Sequence, residues 1–125
     1  MLECYRRIPY IVRHRKAFRC VERNLTGRVV YGWIHDLDKL LMCVFTPFLG
    51  WLHINQIHVK KSKHHFEYFG GIEKLNKIEM LIDWECAHLT KDNVCENAVC
   101  YLNKYHKDKL DCFRKDVWSL FGIVL

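Results

Sequence analysis

Ile34-His35-Asp36-Leu37-Asp38-Lys39-Leu40 is the stretch whose reading decides the fold. Its neighbours Trp33, Leu37, Leu40, Leu41 and Val44 form an apolar seam if the run is helical, with Asp36 three residues after Trp33 and four before Leu40. An ionised carboxylate on such a seam is expensive unless a cation or metal compensates it. A helix with one solvated acidic turn would look much the same, so the rest of the chain must decide.

Working outward, Ile11, His14, Phe18, Val21 and Leu25 lie on one helical stripe, and Pro9 suits the first turn of that helix. His14 stands on the stripe itself. Asn24, Thr26 and Gly27 break the pattern, which predicts a second helix over about 28–44 that carries His35 and Asp36 and ends at Thr46-Pro47. A shorter helix follows from Gly50 to Val59, with Trp51, Leu52, Ile54 and His58 inward. Lys60, Lys61 and Lys63 make a basic loop that leads into His64-His65-Phe66-Glu67-Tyr68-Phe69-Gly70-Gly71, too aromatic and glycine-rich for ordinary surface. A helix over about 72–89 places Leu75, Ile78, Ile82 and Leu89 on one stripe, with Asp83 in an otherwise apolar turn. A further helix carries Val94, Ala98, Val99, Tyr101, Leu102 and Tyr105. The segment 111–125 ends so apolar, from Val117 to Leu125, that it must dock on the core or on a second copy of the chain, and a homo-oligomer through 117–125 is the expectation. No strand-period segment competes. The fold class expected is all-α: one compact helical bundle over 1–125, with a core of about 11–89 and C-terminal helices over 93–125.

A chain of 125 residues, half of them hydrophobic, is one folded domain rather than a disordered segment. Its net charge of +6 and pI near 9.0 favour anionic partners. Seven scattered cysteines without a Cys-x-x-Cys pair read as small buried hydrophobes in a reducing compartment. The start, Met1-Leu2-Glu3-Cys4-Tyr5-Arg6-Arg7, lacks the apolar core of a signal peptide, and the run Leu40–Leu52 is too short to span a bilayer. A cytoplasmic protein without a membrane partner is expected.

Five of the eight histidines fall in the series His14, His35-Asp36, His58, His64-His65, Asp83. Three predicted helices turn His14, His35-Asp36 and Asp83 toward the core, and packed helices can bring such side chains to one point. Imidazole and carboxylate donors suit divalent ions such as Zn, Fe and Mn.

This series resembles the HD-domain superfamily of metal-dependent phosphohydrolases, whose signature is a first His, a His-Asp doublet and a distant Asp. His35-Asp36-Leu37-Asp38-Lys39 also resembles that family's His-Asp-x-x-Lys form, with Asp38 where a small residue is usual. His58, His64 and His65 resemble the extra histidines of its binuclear members, which include cyclic-dinucleotide phosphodiesterases. The Gly-Tyr-Pro motif of those enzymes is absent. The segments His58–Tyr68 and Glu79–Trp84 are similar to a family of small HD-like proteins without an assigned function.

The resemblance implies one or two divalent ions (Mn, Fe, Zn, Co or Mg) per chain. One would be held by His14, His35, Asp36 and Asp83, the other by Asp36 with His58 and His64 or His65. It implies metal-assisted hydrolysis of a nucleotide or other small phosphoester, with catalytic roles for Asp36 as the shared carboxylate, Lys39 on developing phosphate charge, and Glu67 as an outer partner or proton carrier. Glu79 is a second outer candidate, and Lys60, Lys61 and Lys63 could line the mouth. An HD-type di-iron oxygenase and a catalytically silent metal- or nucleotide-binding protein are the alternatives. Nucleic-acid binding ranks last, since the basic residues are spread along the chain. His53, His88 and His106 are expected at the surface or rim.

Overall fold

The computed structural model describes residues 3–125 and is all-helical, so Met1 and Leu2, which open the stretch read as lacking a leader, lie outside the described residues. Six α-helices run in order: α1 (Glu3–Thr26), α2 (Leu37–Phe45), α3 (Trp51–Lys61), α4 (Lys77–Cys86), α5 (Ala98–Tyr105) and α6 (Leu110–Phe121). Among the described residues none is long and apolar enough to cross a membrane.

Two packs of helices meet along α1 and α4. Cys4, Ile11, Cys43 and Ile54 join α1, α2 and α3. Met80, Leu81, Ala98, Leu102, Phe113 and Val117 join α4, α5 and α6. Phe18, Ile82 and Cys86 close the seam between α1 and α4. Burial of these side chains is the main force holding the packs together. The polar cluster described below lies where they meet.

The stripe of α1 behaves as its period demands, with Ile11, His14 and Phe18 buried. The helix begins at Glu3, however, so Pro9 is interior rather than in the first turn. Its missing N–H removes one helical bond, and burial of the face below carries the helix through.

The main departure is at the His-Asp doublet, which is not inside a helix. Residues Tyr31–Trp33 form a single 3-10 turn, and α2 starts only at Leu37. That break resets the helical phase, so Cys43 is buried while Trp33, Leu41 and Val44 are exposed, Trp33 by 59%. The loop is held from α1. Glu22, 1% exposed, accepts the N–H groups of Tyr31 and Gly32 at 2.9 and 2.8 Å. Arg15 donates to the carbonyls of His35 and Trp33, both at 2.8 Å. Gly32 is required here because a Cβ would stand 2.5 Å from the Arg19 side chain and 3.0 Å from the Glu22 carboxylate. Glu22→Ala strands one buried and one part-buried amide, so it is expected to lower unfolding stability by about 1–3 kcal/mol, read by urea titration. A loss under about 0.5 kcal/mol, the range of ordinary surface changes, would show that the loop does not depend on this carboxylate.

Other boundaries shift for local reasons. Thr46-Pro47 ends α2 as expected. In α3, Ile54 and His58 are buried, but Leu52 is 72% exposed because it lies off their shared face. The helix expected over 72–89 begins at Lys77, where Asn76 accepts the Glu79 N–H, and gives way to a 3-10 turn at Ala87–Leu89 that leaves Leu89 exposed. Likewise α5 starts at Ala98 because Asn97 caps it. The C-terminal segment docks on the core: Phe113 and Val117 are buried, and Leu120, Phe121 and Leu125 pack against their cluster. Trp118, Ile123 and Val124 stay exposed. Only Cys4, Cys43 and Cys86 act as buried hydrophobes; Cys20, Cys100 and Cys112 are exposed on helix surfaces.

Candidate metal centre

Asp36 occupies the N-cap of α2, yet its side chain makes no capping bond, and its backbone is left-handed at φ 54°. An aspartate at that place normally accepts helix amides. Here the carboxylate is turned elsewhere, and a left-handed non-glycine residue persists only where its surroundings hold it. Oδ1 of Asp36 lies 3.0 Å from His58 Nε2 and 3.2 Å from His64 Nε2, and Oδ2 lies 3.1 Å from Lys39 Nζ. His35 Nε2 is 3.8 Å from Oδ1.

Around this carboxylate the rings converge from four elements. His14 of α1 places Nε2 2.8 Å from Asp83 Oδ1 of α4 and 3.2 Å from His35 Nε2. His35 Nε2 is 3.5 Å from the same Asp83 oxygen. His58 of α3 meets His65 at 3.1 Å, Nε2 to Nε2. His64 and His65 come from a chain of turns in which the His65 N–H donates to Ser62, that of Tyr68 to His65, and that of Phe69 to Lys60. His14, His35, Asp36, His58 and His64 are all buried. Phe18 stacks on His35 with centroids 4.0 Å apart, closing the apolar side.

Outside the ring of Nε2 atoms is a second layer that faces the Nδ1 atoms. Glu79 Oε1 takes both His35 Nδ1 and His64 Nδ1 at 3.0 Å. Asp38 and Ser62 hold His58 Nδ1 at 2.9 and 3.0 Å. Thr90 Oγ1 is 3.3 Å from His14 Nδ1. Carboxylates on the outer nitrogen fix the tautomer and ring orientation of metal-binding histidines. Asp38 thus acts as the partner of His58. Glu79→Gln replaces the acceptor that two rings share, so it is expected to weaken metal affinity about 10–100-fold with little loss of fold. Competition against a fluorescent chelator reads this; unchanged affinity would remove Glu79 from the centre.

The buried rings and carboxylates shift one another's protonation. Burial alone would drive the His35 ring neutral, but the Asp36, Asp83 and Glu79 carboxylates override it and push its pKa up to about 10. His64, likewise opposed by burial, rises to about 9 beside Asp36 and Glu79. His65 falls to about 3, through burial and then the charges of His64 and His58. Burial works against Glu79, yet hydrogen bonds from His35 and His64 bring it down to about 2. Asp36 and Asp83 are also held well below the usual carboxylate range against their burial, mainly by His35.

With each Nδ1 donating to its carboxylate, a neutral imidazole presents only a lone pair at Nε2. The Nε2 atoms of His58 and His64 would then face the Asp36 oxygen lone pair to lone pair. Extra protons or a metal cation resolve that repulsion, so the donor set fits a divalent ion.

Compared with protein-family models, curated proteins and solved structures, the chain matches none of them. The site must be read from its own geometry. Asp36, His58, His64 and His65 form one donor group; His14, His35 and Asp36 form another, each with its ligand atoms within 4.8 Å of one another. His35, His64 and Asp83 form a third, and His14, Asp83 and Cys86 a fourth. The buried His/Asp cluster could therefore hold a metal ion. Cys86 escaped the sequence reading as a possible donor; burial and then Asp83 push its thiol pKa up, which keeps it protonated.

Two cavities reach Asp36. One of about 470 Å³ is lined by His14, Asp36, Lys39, Asp83 and His65 together with Arg7, Tyr10, Trp51 and Lys91. The other, about 570 Å³, opens past Asp38, Lys61, Lys63 and Glu79. Lys61 and Lys63 thus flank the second opening, while Lys60 lines neither. Glu67 is exposed and lines neither of these cavities, but it does line a smaller one together with His64, His65, Phe66, Trp84 and His106. His106 is half-buried, where it stacks on Trp84 at 5.6 Å and packs on Phe66 at 4.5 Å.

Proposed function

We propose that the chain is a metal-dependent phosphohydrolase of the HD-domain kind, acting on a nucleotide or other small phosphoester. The observation that supports this reading is that His14, His35, Asp36 and Asp83, in that chain order, are linked side by side: His14 and His35 share a donor group with Asp36, and both meet the half-buried Asp83, at 2.8 and 3.5 Å. His14, Asp36 and Asp83 open to a cavity that Lys39 also lines. One ion would be held by His14, His35, Asp36 and Asp83, and a second by Asp36 with His58 and His64 or His65. Divalent ions supply Lewis acidity there, acidifying water and neutralising phosphoryl oxygens.

The chain's own residues do the rest. Asp36 is common to two of the four donor groups and is held by α2 and the turn before it. Glu79 and Asp38 hold the outer ring protons and so aim the Nε2 lone pairs inward. Lys39 lines the cavity within 3.1 Å of Asp36 Oδ2, where its ammonium can meet charge developing on a phosphoryl group. Glu67 lines a small cavity with His64 and His65, and would stand there as an outer partner rather than beside Asp36.

The test is a panel of nucleotides, cyclic dinucleotides and nitrophenyl phosphates, run with Mn, Fe, Co, Zn or Mg on protein of measured metal content, with oxygen consumption followed in parallel. Phosphate or phosphomonoester release that a chelator abolishes is the expected result. Oxygen uptake by the iron form without ester cleavage would support an HD-type oxygenase instead. Neither activity at full metal occupancy would leave a silent binding protein and overturn the hydrolase reading.

A further inference from the structure

The 470 Å³ cavity is lined by two cationic side chains besides the Lys39 that pairs with Asp36. Arg7 of α1, Lys39 of α2 and Lys91 of the loop after Leu89 all line it, facing Asp36, Asp83 and Asp92. These three cations and three carboxylates cancel, and each divalent ion would add two positive charges. Asp36 and Asp83 are engaged by histidines, which leaves Asp92 as the remaining acidic group on that wall.

The two cations outside the His-Asp-x-x-Lys segment are placed by aromatic rings. The Arg7 guanidinium lies 5.1 Å from the Trp51 ring centre, and the Lys91 ammonium 5.8 Å from that of Tyr10. Tyr10 is stacked on His14 at 6.0 Å with 10° between the planes, so this wall continues directly from the candidate centre. Arg7 shares an exposed pair with Glu3 at 3.0 Å, a contact of the kind that competes weakly. Lys91 has no ion pair within 4.0 Å among the described residues. Lys91 also shares a hydrogen bond with Tyr10, which leaves two of its three ammonium donors for an anion.

We propose that Arg7 and Lys91 recognise a second anionic group, so that this cavity takes a bisphosphate or diphosphate in preference to a compound with one phosphate. The first phosphate is placed by the phosphohydrolase reading, on which the inference rests for that part alone. Charge-assisted bonds from a guanidinium and an ammonium are the strong class of hydrogen bond, and with Arg7 and Lys39 beside Trp51 and Lys91 beside Tyr10, two phosphates can meet more of the three cations than one can.

Calorimetric binding to the manganese-loaded full chain tests this, with fructose 6-phosphate against fructose 1,6-bisphosphate as probes and metal content measured before and after. The bisphosphate is expected to bind at least about 10-fold more tightly. Lys91→Gln and Arg7→Gln should each remove most of that preference while changing the monophosphate affinity less than about twofold, and Arg7→Lys should restore part of it. Equal affinities for the two sugars, or variants that weaken both alike in a chain of unchanged circular dichroism, would overturn the proposal. Discrimination without hydrolysis of any ester would uphold it while defeating the phosphohydrolase reading. Hydrolysis without discrimination would do the reverse.

Discussion

Asp36→Asn is expected to abolish tight metal binding while leaving the fold intact. Asparagine keeps the size of the side chain and tolerates the left-handed backbone at φ 54°, so the turn before α2 survives. It removes the charge and one of the two ligand oxygens. Asp36 is shared by the group containing His58, His64 and His65 and the group containing His14 and His35, so both are damaged at once. The loss should exceed the roughly 10–100-fold that outer carboxylates account for. Metal content after dialysis, beside the melting temperature of the metal-free protein, gives the answer. Full metal stoichiometry in Asp36→Asn would refute the shared-ligand assignment. Asp36→Ala is a poorer probe, since alanine is strained at this backbone position.

The second large effect is a reversal of pH dependence on metal loading. In the metal-free protein the His35 and His64 pKa values of about 10 and about 9 stand above the unfolded value of about 6.5. Their contribution to stability is therefore complete below about pH 6.5 and is lost as pH rises through 9 and 10. His65, depressed to about 3, acts oppositely: protonation of the unfolded ring erodes stability as pH falls from about 6.5 toward 3. Lowered carboxylates such as Glu79 add stability above about pH 4 that is lost as pH falls through their folded values. The metal-free melting temperature should peak near pH 6–7 and fall on either side.

Metal binding must displace the protons of His35 and His64, because the ligating form is the neutral imidazole. Between pH 6 and 8 both protons are bound in the metal-free state. Release of two protons raises apparent affinity by up to about 100-fold per pH unit. The melting increment given by Mn should accordingly grow steeply with pH while the metal-free protein gains nothing. An increment independent of pH would mean that these rings are not the ligands.

How much of this was legible in the sequence follows from what each residue shows along the chain. The stripe of α1 and the order of His14, His35-Asp36, His58, His64-His65 and Asp83 were readable because long helical periods and residue types are local properties. The break before α2 was not. Trp33, Leu41 and Val44 have helical spacing, yet Arg19 lies 5.2 Å over the exposed Trp33 ring and a left-handed Asp36 resets the phase. No pattern of hydrophobic residues encodes that reset. Glu22 could have been found, since it follows Phe18 by one helical turn and raises the same question of a carboxylate on a buried face as Asp36. The partnership of Asp38 with His58 spans two helices and depends on their packing, so it emerges only in three dimensions.

Anomalous diffraction from crystals of the manganese-loaded chain, scaled by its measured metal content, tests the central claim most directly. The account predicts two peaks on either side of Asp36, one within bonding distance of His14, His35 and Asp83 and the other of His58 and His64 or His65. A fully loaded crystal with no peak within bonding distance of Asp36 would contradict it.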